Sequence, residues 1–281
     1  MREISYEAIR AAVCEMCGRA ACDLPEDVLA ALKRAGENET GELGKEFFAQ
    51  YMLNSDIARQ ERLPLCQDTG FAVFFVRMGA EVVLDRGTIS EAVNEGVREG
   101  YKKFFLRKSI VADPLFDRKN TFDNTPAVIH LEQVPGDKLH ITLAPKGGGS
   151  ENMSALKMLK PAEGRKGVVD FVVNSVISAG GNPCPPTVVG VGIGGTMEYA
   201  AYMAKKALTR QVGMASADPR YAELEQEILE KINASGVGPQ GLGGATTALA
   251  VHIEFHPCHL ASLPVAVNLN CHAARHAEVE L

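Results

Sequence analysis

The sequence has 281 residues, of which 46% are hydrophobic and 23% are charged, and its formal net charge is −6. A chain of this composition can bury a substantial core, and its charged share is close to that of soluble domains. The acidic balance argues against a nucleic-acid-binding protein, which usually carries a basic surface. No run of about 18 apolar residues is present, so we expect no membrane span. The N-terminus lacks the apolar segment of a signal peptide, and we expect a cytoplasmic protein.

The first hundred residues are predicted to be mainly helical. Asp23 with Glu26 has the pattern of a capping box that opens a helix ending at Leu32, and Thr88 with Glu91 has the same pattern. The other predicted elements of this region are helices over residues 4–17, 41–59 and 88–105 and a buried strand over residues 71–76.

The remainder of the chain is rich in glycine and is predicted to mix helices with strands. Strands over residues 127–131 and 138–143 are predicted to form a hairpin, and a helix is predicted from Glu151. Residues 167–179 fit a helix or a strand. Further strands are predicted at 187–189, 247–255 and 263–269, and further helices at 197–208 and 218–232. We therefore predict one α/β domain over residues 1–281, with a helical N-terminal portion.

Three of the seven cysteines lie in sequence contexts that are unusual for a core thiol. Cys66 lies in a polar turn between a helix and a strand, Cys184 is surrounded by prolines, and Cys271 follows an apolar strand. Rigid loops suit thiolates that bind metal, although for Cys66 alone an ordinary turn cysteine remains equally open. Four thiolates saturate a cubane iron–sulfur cluster, so three would leave one iron free to act as a Lewis acid.

The other four cysteines have simpler interpretations. Cys14 and Cys17 lie within an amphipathic helix and are expected in the core, since free cysteine is among the most buried residue types. With Cys22 they form a spacing that superficially resembles a metal motif. Cys258, in the string His-Pro-Cys-His at residues 256–259, could bind zinc, but zinc sites usually need a second ligand pair nearby.

Two glycine-rich segments suggest ligand binding. The first, Lys146 to Ser150, contains three consecutive glycines before a predicted helix, and its free amides could bind a carboxylate. An ordinary tight turn is the alternative. The second, Gly190 to Gly195, has the spacing of a dinucleotide-binding loop. A nicotinamide-dependent oxidoreductase is therefore a remote alternative, because Asp218 then opens a further helix where a second strand would be required.

These residues as a set resemble the alpha subunit of the iron–sulfur class I fumarate hydratases and L-tartrate dehydratases. The resemblance covers nearly the whole chain. The segments that carry it are residues 65–70, 146–152, 184–186, 190–195 and 261–275.

The resemblance implies a [4Fe–4S] cluster and a set of residues around its substrate. Cys66, Cys184 and Cys271 would hold the cluster, mostly in the glycine-rich α/β portion, and Cys258 would not be a ligand. The residues implied at the substrate are Gln67 and Asp68 beside it, Gly148 and Gly149 at a carboxylate, Arg107 as a carboxylate partner, His259 at the pocket border, and Asp68 as a catalytic group.

The resemblance also implies a partner. Single-chain members of this family continue into a second domain that carries the general base and further substrate arginines, and no such domain follows Leu281. We therefore expect a beta subunit, an α2β2 assembly and a small dicarboxylate substrate. Reversible hydration of fumarate to malate is the favoured activity, with dehydration of L-tartrate to oxaloacetate as the alternative. A scaffold subunit without a cluster is the rival from a different class.

Overall fold

The computed structural model describes all 281 residues, which form two compact units. Unit 1 consists of Met1–Leu24, Ser55–Gly148 and Arg275–Leu281, and unit 2 consists of Pro25–Asn54 and Gly149–Ala274. Both units contain helices and strands, which confirms the predicted mixed α/β class. The expectation of a single functional domain stays a prediction. None of the helices has the length and apolar content that a membrane span requires.

Eight α-helices and ten strands follow one another along the chain. The helices are α1 (Tyr6–Cys22), α2 (Glu26–Asn38), α3 (Glu42–Glu61), α4 (Ile89–Lys103), α5 (Gly148–Glu151), α6 (Gly164–Ala179), α7 (Met197–Ala207) and α8 (Pro219–Asn233). The strands are β1 (Arg2–Ile4), β2 (Phe71–Gly79), β3 (Val82–Leu84), β4 (Val128–Val134), β5 (Leu139–Lys146), β6 (Ala155–Leu159), β7 (Thr187–Gly194), β8 (Ala248–His256), β9 (Leu263–Asn270) and β10 (Ala277–Glu280).

Unit 1 contains a four-stranded sheet in the order β10-β5-β2-β4, and β1 pairs with β3 in a separate parallel pair. The predicted hairpin of β4 and β5 is wrong, because β2 lies between them and pairs with both. The end of β2 enters at the turn that joins the two strands, where Gly79 N donates to Lys138 O at 2.8 Å. A Cβ on Gly79 would lie 2.3 Å from the Gly136 carbonyl oxygen, so this insertion requires glycine.

The core of unit 1 forms where α1 packs against α4 and the sheet. The predicted apolar face of α1, which includes Ile9, Val13 and Cys17, is fully buried. The two helices approach closely at Gly96, where a Cβ would lie 2.6 Å from the Arg10 carbonyl oxygen. The helix cap predicted at Thr88 with Glu91 is formed at the start of α4.

The helix cap predicted at Asp23 is absent. Pro25 occupies the N-cap position of α2 and makes no side-chain capping bond. The Asp23 carboxylate instead accepts from Arg62 at 2.9 Å. A salt bridge to a side chain far along the sequence has thus replaced the local bond that the pattern predicted.

Unit 2 contains a second four-stranded sheet, in the order β6-β9-β7-β8. Apolar residues of α6 and α8 cover one face of this sheet, and α7 covers the other. The ambiguous segment at 167–179 is helical, within α6. The helix predicted from Glu151 is wrong: α5 ends at that residue and β6 follows, because residues 155–159 pair with β9.

Two glycines of the dinucleotide-like pattern, Gly190 and Gly192, lie inside β7, and the third, Gly195, directly follows the strand. A Cβ on Gly190 would lie 2.0 Å from the Ala204 carbonyl oxygen, and one on Gly192 would lie 2.0 Å from that of Ala200. These two glycines therefore allow α7 to pack directly on the strand. Their role in packing accounts for two of the glycines that suggested a nicotinamide enzyme.

A buried histidine of unit 2 makes the stability of the fold depend on pH. His252 on β8 is 2% exposed, its Nδ1 lies 3.2 Å from the Ala207 carbonyl oxygen, and its Nε2 has no hydrogen-bond partner. Burial, together with the nearby Arg210 cation, lowers the pKa of His252 to about 4. The histidine is therefore neutral in the folded chain across a range where the unfolded chain binds a proton.

We predict that the chain loses stability as the pH falls from 6.5 toward 4, and that His252→Asn removes part of this loss. A depressed histidine pKa stabilises the fold fully above the unfolded value of about 6.5, and this contribution vanishes as the pH approaches the folded value. The difference between the two chains should reach roughly 3 kcal/mol. Urea denaturation at a series of pH values measures it, with His256→Asn on the exposed end of β8 as the control. Identical pH profiles for the His252 variant and the parent would contradict the prediction.

Candidate functional site

Cys66 lies in the turn that joins α3 to β2, within unit 1. The turn starts at the buried Leu65, whose N–H donates to the Ala21 carbonyl at 2.9 Å. The Cys66 side chain is partly exposed, and the N–H of Asp68 points toward its sulfur, with 3.4 Å between Asp68 N and Cys66 Sγ. The backbone therefore holds this thiol at the surface with an amide donor beside it.

Asp68 fastens the Cys66 turn to the glycine turn at residues 147–149. Its Oδ1 accepts from Gly70 N at 3.0 Å, and its Oδ2 accepts from Gly148 N at 2.7 Å. Gly70 has φ +86°, and a Cβ there would lie 2.8 Å from Lys146 N, so the junction needs glycine. The carboxylate on Gly148 N therefore belongs to the protein itself, and the binding of a substrate carboxylate by the glycine turn stays a prediction.

Arg275 supports the same turn, and the sequence analysis assigned it no role. Its Nη2 donates to the Asp68 carbonyl at 2.7 Å, and only 5% of the residue is exposed. Its Nε is buried and has no hydrogen-bond partner. The only sequence signal for Arg275 is its position four residues after Cys271. A buried cation at the Cys66 turn provides positive charge where a thiolate would form.

Arg107 is also attached to this turn, through its backbone. Thr69 Oγ1 donates to the Arg107 carbonyl at 2.9 Å, and the Arg107 side chain is exposed. Gln67 is close as well, with its Oε1 3.4 Å from Cys66 Sγ. Unit 1 thus brings together Cys66, Gln67, Asp68, Arg107 and Gly148, five of the residues that the sequence nominated.

Cys184 and Cys271 lie in two loops of unit 2 that are hydrogen-bonded to each other. The N–H of His272 donates to the Cys184 carbonyl at 3.1 Å, and the ring Nδ1 lies 3.2 Å from the same oxygen. Cys184 has φ +54° and is exposed, and Cys271 is partly exposed. Gly149 belongs to the same neighbourhood, because a Cβ on it would lie 3.4 Å from the Asn182 carbonyl oxygen.

Tyr51 and Gln240 hold these two loops together. The Tyr51 ring stacks on His272 at 4.1 Å between centroids, and its hydroxyl donates to the Pro185 carbonyl at 3.3 Å. Gln240 donates from Nε2 to that hydroxyl at 2.7 Å and from its backbone N to the Pro185 carbonyl at 2.9 Å. Burial raises the pKa of Tyr51 to about 12, and the thiols of Cys184 and Cys271 act in the same direction. No local sequence pattern pointed to Tyr51 or Gln240.

The core cysteines differ from the loop cysteines in the exposure of their side chains. Cys14, Cys17 and Cys22 are buried in α1, which confirms the expected core packing of Cys14 and Cys17. Burial raises the pKa of each of the three thiols, most strongly for Cys17. A thiolate is therefore disfavoured at all three positions.

His259 and Cys258 lie in the exposed loop that follows β8. His259 Nδ1 accepts from Ala261 N at 3.2 Å, and the Cys258 thiol donates to the Ser262 carbonyl at 3.3 Å. These hydrogen bonds remain within residues 257–262. No three His, Cys, Asp or Glu side chains are arranged as ligands of a single metal ion, so the zinc interpretation of this loop gains no support.

The nominated cysteines, taken singly, are of the residue type that binds a cluster of several irons. Such clusters are bound by cysteine thiolates at separate irons, whereas the ligands of a single zinc ion converge on one centre. The loop thiols at the surface, Cys66 in unit 1 and Cys184 and Cys271 in unit 2, have the required chemistry. The buried cation of Arg275 and the amide of Asp68 beside Cys66 suit a bound anion.

Residues 10–280 match the family described as fumarate hydratase (Fumerase). The chain belongs to this fumarate hydratase family. Its relatives include a Methanocaldococcus jannaschii protein provisionally named L(+)-tartrate dehydratase subunit alpha, which is 44% identical over 94% of both chains. The L(+)-tartrate dehydratase subunit alpha of Escherichia coli strain UTI89 is 37% identical over 90% of this chain and 84% of its own. The protein of the same name from strain K12 is 36% identical over the same shares.

Membership of the fumarate hydratase family confirms the class predicted from the sequence. The chain is a hydro-lyase, as the resemblance implied, and the match covers all of the loops described above. The relatives are named as alpha subunits of a tartrate dehydratase. The family therefore identifies the type of reaction, and the substrate must be argued from the site.

We predict that Tyr51→Phe lowers the free energy of unfolding by about 1 kcal/mol, the usual net value of one hydrogen bond. The substitution keeps the stack on His272 but removes the hydroxyl that bonds Pro185 and Gln240. Denaturant unfolding of the purified chain measures the change. Tyr199→Phe is the matched control, because Tyr199 is partly exposed and makes ring contacts. Equal losses in both variants would show that the Tyr51 hydroxyl does not stabilise the two loops.

Proposed function

We propose that this chain is the cluster-binding alpha subunit of a hydro-lyase that reversibly hydrates fumarate to malate. The proposal rests on the difference in exposure between the cysteines in loops and those in α1, in a chain that belongs to this family. Four cysteines lie in loops with accessible side chains, namely the nominated Cys66, Cys184 and Cys271 and also Cys258, and the other three are buried in one helix. We place the protein in the cytoplasm, where free thiols stay reduced.

Cys66, Cys184 and Cys271 are the proposed ligands of a [4Fe–4S] cluster. When bound through three thiolates, such a cluster supplies an iron with an open position that acts as a Lewis acid toward substrate oxygens. Cys258, whose thiol donates to the Ser262 carbonyl within its own loop, is not a proposed ligand. The contacts of His272 with the Cys184 carbonyl hold the loops of Cys184 and Cys271 next to each other.

The residues around Cys66 are proposed to bind one substrate carboxylate. Arg107 offers a guanidinium that can bind a carboxylate in a bidentate manner, and its backbone is tied to the Cys66 turn by Thr69. The amide of Gln67 can donate to a substrate oxygen. On the other unit, the N–H of Gly149 is the proposed amide donor of the glycine turn, because Gly148 N already bonds Asp68. His259 is proposed to border the pocket.

Asp68 is proposed to accept or donate the proton of the water that is added or released. Both of its carboxylate oxygens accept one backbone hydrogen bond each, and each retains a lone pair for a further donor. The two amides fix the orientation of the carboxylate, so a water or hydroxyl hydrogen-bonded to it would be oriented as well. The rigid attachment suits general acid–base chemistry, in which geometry comes before proton affinity.

The remaining charge of the substrate is proposed to be neutralised by a partner. A four-carbon dicarboxylate carries two negative charges, and burying an unpaired charge costs several kcal/mol. Arg107 with the Gly149 amide suits one carboxylate better than two. Removal of the carbon-bound proton yields an aci-carboxylate that needs further electrostatic stabilisation. We propose that a beta subunit supplies both the second clamp and the base, in an α2β2 assembly closed by two-fold symmetry.

Dehydration of L-tartrate to oxaloacetate is the second candidate function. The names of the relatives favour it, since those described above are called L(+)-tartrate dehydratase subunit alpha. Tartrate carries one hydroxyl more than malate, and both molecules present two carboxylates to the same groups. The residues that distinguish them would be those that contact the second hydroxyl.

We predict that Cys66→Ser, Cys184→Ser and Cys271→Ser each lose most of the bound iron, because serine lacks the thiolate that iron–sulfur clusters require. Cys258→Ser is the matched control: it is an exposed loop cysteine and should keep the iron of the parent. Iron and acid-labile sulfide are measured per chain after purification without oxygen. Full iron in Cys184→Ser, or iron loss confined to Cys258→Ser, would overturn the ligand assignment.

We predict that this chain alone neither hydrates fumarate nor dehydrates L-tartrate measurably, and that co-expression with its beta subunit restores activity. General-base catalysis alone contributes about 10²–10⁴-fold in rate, and the carboxylate clamp would be lost with it. Anaerobic assays of the pair with fumarate and with L-tartrate give the ratio of kcat/KM values that assigns the substrate. Turnover by the isolated chain equal to that of the pair would refute the division of the active site between two subunits.

A further inference from the structure

A loop of unit 1 exposes large apolar side chains that have no role in the core. It connects α4 to β4 and is called here the aromatic loop, residues 105–124. Phe105 is 92% exposed, Leu115 71%, Phe116 83% and Phe122 78%. Single apolar residues are common on protein surfaces, but several together usually mark an interaction site.

The aromatic loop is internally bonded, so these side chains are held outward by structure. Ala112 N donates to Lys119 O at 2.8 Å, and Thr121 N donates to Ile110 O at 2.9 Å. Asp113 Oδ1 accepts from the backbone N–H of Phe116. These hydrogen bonds give the aromatic loop a defined conformation.

The backbone is strained where two of the aromatic residues project. Phe105 has φ +54° and Phe122 has φ +63°, in the left-handed region that bulky side chains rarely adopt. Asn120 Oδ1 accepts from Phe122 N at 2.7 Å and supports the second of these conformations. Strained backbone persists only where the surrounding structure determines it, and it is concentrated at functional positions.

Both ends of the loop are fastened to the Cys66 turn. Near its start, Thr69 Oγ1 donates to the Arg107 carbonyl at 2.9 Å. Near its end, Asn124 Nδ2 donates to the Gly70 carbonyl at 3.2 Å, and Asn124 Oδ1 accepts from Ser109 N at 2.8 Å. A protein that covers the exposed side chains therefore lies beside Arg107 and the Cys66 turn.

We infer that the aromatic loop is the surface on which the beta subunit docks, an inference that rests on the proposed function. The occupant follows from the position of Arg107 within the loop. The subunit that supplies the second carboxylate clamp and the base must approach Arg107, and the exposed apolar side chains lie on the same loop. A second copy of this chain docked here would cover Arg107 without adding either group. Besides Arg107, the loop carries Lys108, Arg118 and Lys119 together with Asp113, Asp117 and Asp123, so a polar rim of mixed charge is expected around the apolar contacts.

The test compares capture of this chain by a tagged beta subunit, with both chains co-expressed without oxygen. The variant Phe116→Ser with Phe122→Ser should weaken association at least tenfold, because truncating central aromatic anchors has the largest effect on interfaces. Its iron content and thermal unfolding should match those of the parent. The control Met214→Ser replaces an apolar residue of unit 2 that is 53% exposed and should leave capture unchanged. Phe116→Leu alone should retain most of the association.

Three results separate the possible outcomes. Unchanged capture of the double serine variant overturns the inference. Loss of self-association in that variant, with beta-subunit capture intact, assigns the loop to a second copy of this chain and also overturns it. A parent pair that forms but neither hydrates fumarate nor dehydrates L-tartrate refutes the proposed function, while the capture comparison still decides whether the loop is an interface.

Discussion

The hydrogen bond from His272 to the Cys184 carbonyl is the contact on which the thiol loops of unit 2 depend. It joins two loops that are 88 residues apart in the sequence. Tyr51 reinforces the bond by stacking on His272 and bonding Pro185. Backbone and aromatic contacts therefore fix the two loops relative to each other.

In unit 1, hydrogen bonds to the Asp68 carboxylate fix the turn that contains the thiol. Asp68 accepts from Gly70 and Gly148, and Arg275 fixes its backbone, so the Cys66 turn is held at three points within its own unit. These bonds also place a carboxylate, a buried cation and a thiol in one turn. In the proposed function, the same short surface segment would contribute a thiolate to the cluster and a carboxylate to proton transfer. Asp68 would then be both a structural anchor and a participant in the proposed chemistry.

The sequence predicted the mixed α/β class, most elements and the separation of loop cysteines from core cysteines, because these depend on local patterns. It failed where distant segments decide the structure. The turn at Gly136 looks like a hairpin, but β2 enters between the two strands. Gly190 and Gly192 match a phosphate loop, but they serve close packing of α7. The Tyr51 hydroxyl bonds Pro185 and Gln240, which are both more than 130 residues away, and no local pattern predicts such contacts.

The central claim is that this chain itself holds an iron–sulfur cluster of the kind that a hydro-lyase needs. The most direct measurement is the iron and acid-labile sulfide content of the parent chain, expressed alone and purified without oxygen. The account predicts about four irons and about four sulfides per chain, the composition of a cubane cluster. A folded chain that contains neither, before and after anaerobic reconstitution with iron and sulfide, would contradict it.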